Sequence, residues 1–114
     1  MDIVKCTREE IISSLVSVFV DVGDIDNAIR LSRSRIGHER NPNSPEAIVA
    51  RYGLARALYL GGQLEEAQLV LESAIQKSAT VLPPEHYRVR VCYELLRSIL
   101  DAREGQARGS GSVH

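Results

Sequence analysis

Residues 54 to 75 read LARALYLGGQLEEAQLVLESAI, and this stretch decides the fold class. Leu54, Ala55 and Leu58 recur at helical spacing, the pair Gly61-Gly62 breaks the pattern, and Leu64, Ala67, Leu71, Ala74 and Ile75 resume it. The reading is two amphipathic helices joined by a glycine turn. Upstream, Ser44-Pro45-Glu46 opens the first of them. The hydroxyl accepts a free backbone N–H, proline occupies the first helical position, and the acid faces the positive helix end. Downstream, Pro83-Pro84 stops the second helix. A further pattern, Val89, Cys92, Tyr93, Leu96, Ile99 and Leu100, then predicts a fifth helix running to about Arg103.

The N-terminal part predicts two more helices. Thr7 and Glu10 have the spacing of a capping box, Ile12, Leu15, Val16 and Phe19 follow at helical intervals, and Gly23 ends the run. Asp24 then caps a second helix carrying Ile25, Ala28, Ile29 and Ile36, which stops before Asn41-Pro42-Asn43. Ser14 to Val22 is rich in β-branched residues and has some strand character. The cap and an internal repeat outweigh it. Leu15 aligns with Leu54, Gly23 with Gly62, Ile25 with Leu64, Ala28 with Ala67 and Ile36 with Ile75, each at an offset of 39. A constant offset across both members of a helix pair is the mark of one helix-turn-helix unit used twice.

These residues resemble the tetratricopeptide repeat. The second copy matches best, with Leu54-Ala55, Leu58, Gly62-Gln63-Leu64-Glu65-Glu66-Ala67, Leu71 and Ala74; the first reads Ile12, Leu15, Val16, Phe19, Gly23, Ile25 and Ala28. Ser32 and Arg35 stand where the family has an apolar and a small residue, Arg51 replaces its first large aromatic, and Ala79 its closing proline. Tyr93, Leu96 and Leu100 follow Arg51, Leu54 and Leu58 by 42, and Pro84-Glu85-His86 is similar to the inter-repeat turn of the 42-residue repeats in kinesin light chains. The resemblance spans about Thr7 to Glu104 as two and a half repeats. It implies an all-α helical-hairpin solenoid of five amphipathic helices over residues 1–104. The Gly/Ser-rich segment 105–114 is read as a flexible tail outside the fold.

Composition narrows the function. The 114 residues are 44% hydrophobic and 25% charged, which suits one domain, and a formal charge of −1 gives no general attraction to polyanions. Ile11 to Val20 is about half a membrane span, interrupted by serines, and the MDIVKCTREE opening lacks the order of a signal peptide. Neither membrane insertion nor export is expected. Cys6 and Cys92 are isolated, which fits a reducing, cytoplasmic location, and no histidine (38, 86 or 114) has metal-ligand spacing. Asp21, Asp24 and Asp26 lack the glycine and closing glutamate of a calcium loop, and Ser13, Ser14 and Ser17 have no histidine nearby in sequence. The expectation is no enzyme, no cofactor and no metal. Arg30, Arg33, Arg35 and Arg40 make the second helix locally basic, but Asp24, Asp26 and Glu39 dilute it, so nucleic acid is disfavoured as a partner.

In the family that the chain resembles, the first helix of each repeat lines a concave groove for a peptide or a partner's helix. By position, the groove here comprises Glu10, Ser13 and Ser17, then Val49, Tyr52, Arg56 and Tyr59, then Val91, Glu94 and Ser98. Tyrosine offers a large contact area with a polar tip, and arginine a planar fork for carboxylates; partial packing within the fold is the alternative role for both tyrosines. The carboxylate clamp of chaperone-binding members is not matched, since its positions read Ser13, Ser17, Gly53, Val91 and Leu95. The expected function is therefore a protein–protein interaction module, an adaptor or assembly domain that binds a protein or peptide. Two alternatives stand beside it: a self-assembling structural module, and a regulatory domain binding RNA or a signalling peptide. Ile11, Val18 and Val22 form a second apolar stripe on the first helix, with Ile3 and Val4 upstream. That stripe predicts a homodimer through this helix, unless Met1 to Cys6 fold back over it.

Overall fold

The computed structural model describes residues 8–37, 41 and 43–111, with side chains from residue 15 to residue 106. It contains five helices: α1 Arg8–Asp21, α2 Ile25–Gly37, α3 Pro45–Leu60, α4 Leu64–Val81 and α5 Tyr87–Gly111. No strand occurs among the described residues. The β-branched run is helical, with Val16 buried and Phe19 and Val20 packed on the core. Thr7, His38, Arg40 and His114 lie outside the described residues, as do the side chains of Glu10, Ile11, Ile12 and Ser13.

The two helical hairpins close by the same hydrogen bonds. Gly23 donates to the Val20 carbonyl (3.1 Å) and Asp24 to that of Phe19 (2.8 Å), while Gly62 donates to Tyr59 (3.1 Å) and Gln63 to Leu58 (2.9 Å). Every group in the second set lies 39 residues after its counterpart. This pairing satisfies the last carbonyls of a helix through one left-handed residue. Gly23 and Gly62 are those residues, at φ 84° and 82°. An L side chain there would be strained, so the glycines set both turns.

Local chemistry also sets the other helix ends. The Ser44 side chain accepts the Ala47 N–H at 3.2 Å, with Pro45 leading α3. Leu82 is extended at φ −130°, ψ 148°, as a residue before proline must be, and α4 stops there. At the start of α5 the imidazole Nδ1 of His86 accepts the Arg88 N–H at 3.1 Å. Helix α5 does not end near Arg103 but continues to Gly111. Gln106, Ala107 and Arg108 are good helix formers, and propagation from an existing helix is far easier than nucleation. The segment 105–114, expected outside the fold, therefore begins as helix.

Helix α3 is the centre of the molecule and packs against all four others. Consecutive helices pack on each other, α1 and α5 also touch α3, and among the described residues the backbones of α2 and α4 do not pack together. The core is built from Ile48, Leu54, Leu58, Leu71, Cys92 and Ile99, interleaved with Ala28, Ala55, Ala57, Ala67 and Ala74. These five alanines are wholly buried, which lets helix backbones approach closely. Each fully buried leucine or isoleucine contributes roughly 1.5–3 kcal/mol.

Three positions depart from the sequence pattern. Leu15 is 44% exposed although it aligns with the buried Leu54, and Tyr93 and Leu100 are 54% and 45% exposed. All three lie on α1 or α5, which have a neighbouring helix on fewer sides than α3. On α2, Ser32 and Arg35, which differ from the family pattern, are both buried.

Candidate functional site

Val49, Tyr52, Gly53, Arg56 and Tyr59 recur at i, i+3, i+4, i+7 and i+10 along α3, so they share one side of that helix. All five are half-buried on a helix whose opposite sides are closed by its neighbours. Tyr52 and Tyr59 pack part of each ring against the core and leave the remainder accessible. Packing and presentation are thus both served, since a ring fixed at its base keeps its outer edge in place. Gly53 adds a feature that spacing alone did not disclose. A Cβ there would meet no atom within 4 Å, so the glycine is not required by crowding. It leaves bare helix backbone between Tyr52 and Arg56.

The flanking helices carry the remaining expected residues. Ser17 on α1 is exposed; on α5, Glu94 and Ser98 are exposed and Val91 is half-buried. The Ser98 hydroxyl donates to the Glu94 carbonyl on its own helix at 3.3 Å. Glu10 and Ser13 fall on the part of α1 whose side chains lie outside the described residues. The structure thus puts the described candidates on three helices that meet at α3, with the aromatic and guanidinium groups concentrated on α3 itself.

The basic reading of α2 changes with tertiary context. Arg33, about half exposed, forms an ion pair with Glu66 of α4 at 2.5 Å, Arg35 is 9% exposed, and Arg30 is exposed. Of these three, Arg35 is withdrawn into the interior and Arg33 is paired, so they do not make one continuous cationic face. Beside the start of α4, Glu65, Glu66, Arg103 and Gln106 line an open depression. Arg103 there is held by the Gln68 side-chain oxygen at 2.5 Å.

Chemically reactive groups are scarce among the described residues. Burial pushes the Cys92 thiol up to about 11, leaving almost no thiolate near neutral pH. No group of three His, Cys, Asp or Glu side chains converges to hold a metal ion among these residues, and none of their helices is long and apolar enough to cross a membrane. Of the expected self-association stripe, Val18 and Val22 are 53% and 71% exposed, while the side chain of Ile11 lies outside the described residues. Leu15 joins them, a residue that the apolar pattern had assigned to the interior.

No protein-family model, no curated protein and no solved structure matches the chain, so the likeness to the tetratricopeptide repeat rests on the chain's own residues and turns.

Proposed function

We propose that the chain is a helical-hairpin repeat module, similar to the tetratricopeptide repeat, that binds a peptide or helix of a partner protein along the α1–α3–α5 side. The observation that carries this reading is the uncovered side of α3. Two anchored tyrosines, a guanidinium fork and an accessible backbone strip stand together on the most enclosed helix of the fold. Aromatic residues and arginine dominate the energetics of protein interfaces because they combine large contact area with a directed polar group. Gly53 lets a ligand approach the helix axis more closely than any other residue type would. Arg56 selects carboxylates on that ligand. The module acts by holding its partner, without chemical change to it.

The test is selection from a displayed peptide library followed by affinity measurement on three variants. Arg56→Glu and Tyr52→Ala should each weaken the selected peptide about tenfold or more, with circular dichroism showing that both variants keep the parent's helicity. Gly53→Leu should block binding by filling the strip, with helix stability maintained or raised because leucine is the better helix former. A selected peptide that binds all three variants as tightly as the parent would remove this side of α3 from the binding surface.

A further inference from the structure

The largest side chains that the fold buries completely are Ile48, Leu58, Leu71, Ser78, Cys92 and Ile99, and all of them belong to α3, α4 or α5. No described residue of α1 or α2 is among them. Those two helices contribute the wholly buried but small Ala28 and the nearly buried Val16 and Ile29. Hydrophobic stabilisation follows the apolar area withdrawn from water, so α1–α2 is the more weakly held part of the fold. Polar groups act in the same direction. The Ser32 hydroxyl is buried with no hydrogen-bond partner among the described residues, and Arg35 is 9% exposed. Unfolding of α2 returns both to water, which favours it. Leu15, Val18 and Val22 are already exposed, so their apolar surface does not oppose the change. At 14 and 13 residues, α1 and α2 are also of a length that is marginal as helix once tertiary packing is lost.

The other three helices keep their own supports without the first two. At the start of α3, Ser44 Oγ donates to the Asn41 carbonyl at 2.9 Å and accepts the Ala47 N–H at 3.2 Å, while the Asn43 N–H donates to Asn41 Oδ1 at 3.0 Å. That cap is built from residues 41–47 and uses nothing of α2. The left-handed turn at Gly62 and the packing of α5 on α4 and α3 likewise lie outside α1–α2. Because the backbones of α2 and α4 do not pack together, α3 is the helix that joins the two parts. The Arg33–Glu66 pair also crosses between them, but with both side chains about half exposed it holds weakly. We propose that α1 and α2 unfold together as one unit from a chain whose α3, α4 and α5 remain folded. Proteins divide their stability into such units. The opening bares the place at Gly61 where Ile25 and Ile29 of α2 lie against α3. It also removes Ser17, and with it the α1 flank of the side of α3 described above; that consequence, unlike the opening, rests on the proposed function.

Hydrogen exchange of the whole chain, followed amide by amide from zero to subdenaturing urea, tests this. Amides of α2 should exchange through an opening about tenfold or more as frequent as the one that releases the slowest amides of α4 and α5. Their exchange should also depend less steeply on urea, because the smaller opening exposes less surface. Two conservative variants then separate the parts. Ile29→Val alters a residue released in both events, so it should speed exchange in α2 and at the slowest α4 and α5 amides by the same factor, about two- to twelvefold. Ile99→Val alters a residue that stays buried while α1–α2 are open, so it should speed the slowest α4 and α5 amides and leave α2 unchanged. Exchange in α2 as slow and as steeply urea-dependent as in α4, or an Ile99→Val effect equal in both parts, would overturn the proposal. If either variant does not fold, the parent's urea dependence decides the matter alone. The measurement uses no ligand, which separates its result from the fate of the binding-side reading.

Discussion

Helices α2 and α4 occupy the same place in successive hairpins, yet their inward surfaces are filled differently. Ala28 and Ala67 correspond and are both wholly buried. One turn later, α4 presents Leu71 and Ala74 to the core, while α2 presents Ser32 and Arg35. The Ser32 hydroxyl is buried and has no hydrogen-bond partner among the described residues. Ile36 and Ile75, which correspond again, both pack on the core from half-buried positions. The backbone device that closes each hairpin is thus the same, and the volume and polarity behind it are not. Hairpin geometry comes from the glycine turns and the small residues at closest approach; the strength of each hairpin comes from what fills the remaining space.

This contrast can be tested by substitutions ordered by expected effect. Leu71→Ala should cost about 2–5 kcal/mol, because a fully buried leucine leaves both lost transfer energy and a cavity. Urea unfolding of that variant should show a large drop in midpoint, and a drop under about 1 kcal/mol would mean that α4 is no better packed than α2.

Ala67→Leu should cost about 1–3 kcal/mol by forcing α3 and α4 apart. Thermal unfolding identical to the parent's would break the shared register, since Ala67 and Ala28 would then not mark a close contact.

Ser32→Ala should leave stability unchanged or raise it by about 1 kcal/mol, since a buried hydroxyl with no partner gives up hydration for nothing. A loss as large as that of Leu71→Ala would show a bonded role for the hydroxyl and erase the distinction between the hairpins.

The smallest effect belongs to Arg33→Ala. The Arg33–Glu66 pair links α2 to α4, but both side chains are about half exposed. Pairs of that kind contribute about 0–1 kcal/mol and weaken in salt. A melting shift that persists in concentrated salt would show that Arg33 acts through its packed stem, making the link between hairpins stronger than its charge.

Helix positions were legible because their signals are local. Ser44-Pro45, Gly23, Gly62 and Leu82-Pro83 each act through hydrogen bonds or sterics within a few residues, and the structure uses all of them. That Tyr52, Arg56 and Tyr59 share one side of α3 was legible for the same reason, because they are one helical face wherever that helix lies. Leu15, Tyr93 and Leu100 were not legible in this way. Their spacing is that of interior residues, and only the count of neighbouring helices left them at the surface. The α5 terminus was misjudged on composition: glycine lowers helix propensity by about 1 kcal/mol but does not end a helix that is already propagating.

By itself, then, the amino-acid order determined five helices, two equivalent glycine turns and the alanines that permit close approach, since backbone sterics and capping depend on near neighbours alone. Tertiary structure decided which apolar residues are buried, that Ser32 and Arg35 face inward, and that the arginines of α2 are divided between an ion pair, the interior and the surface. The physical reason is that periodicity defines a face of a helix but not what lies opposite it. That is set by helices distant in sequence, with α3 enclosed by four neighbours and α1 and α5 left partly open.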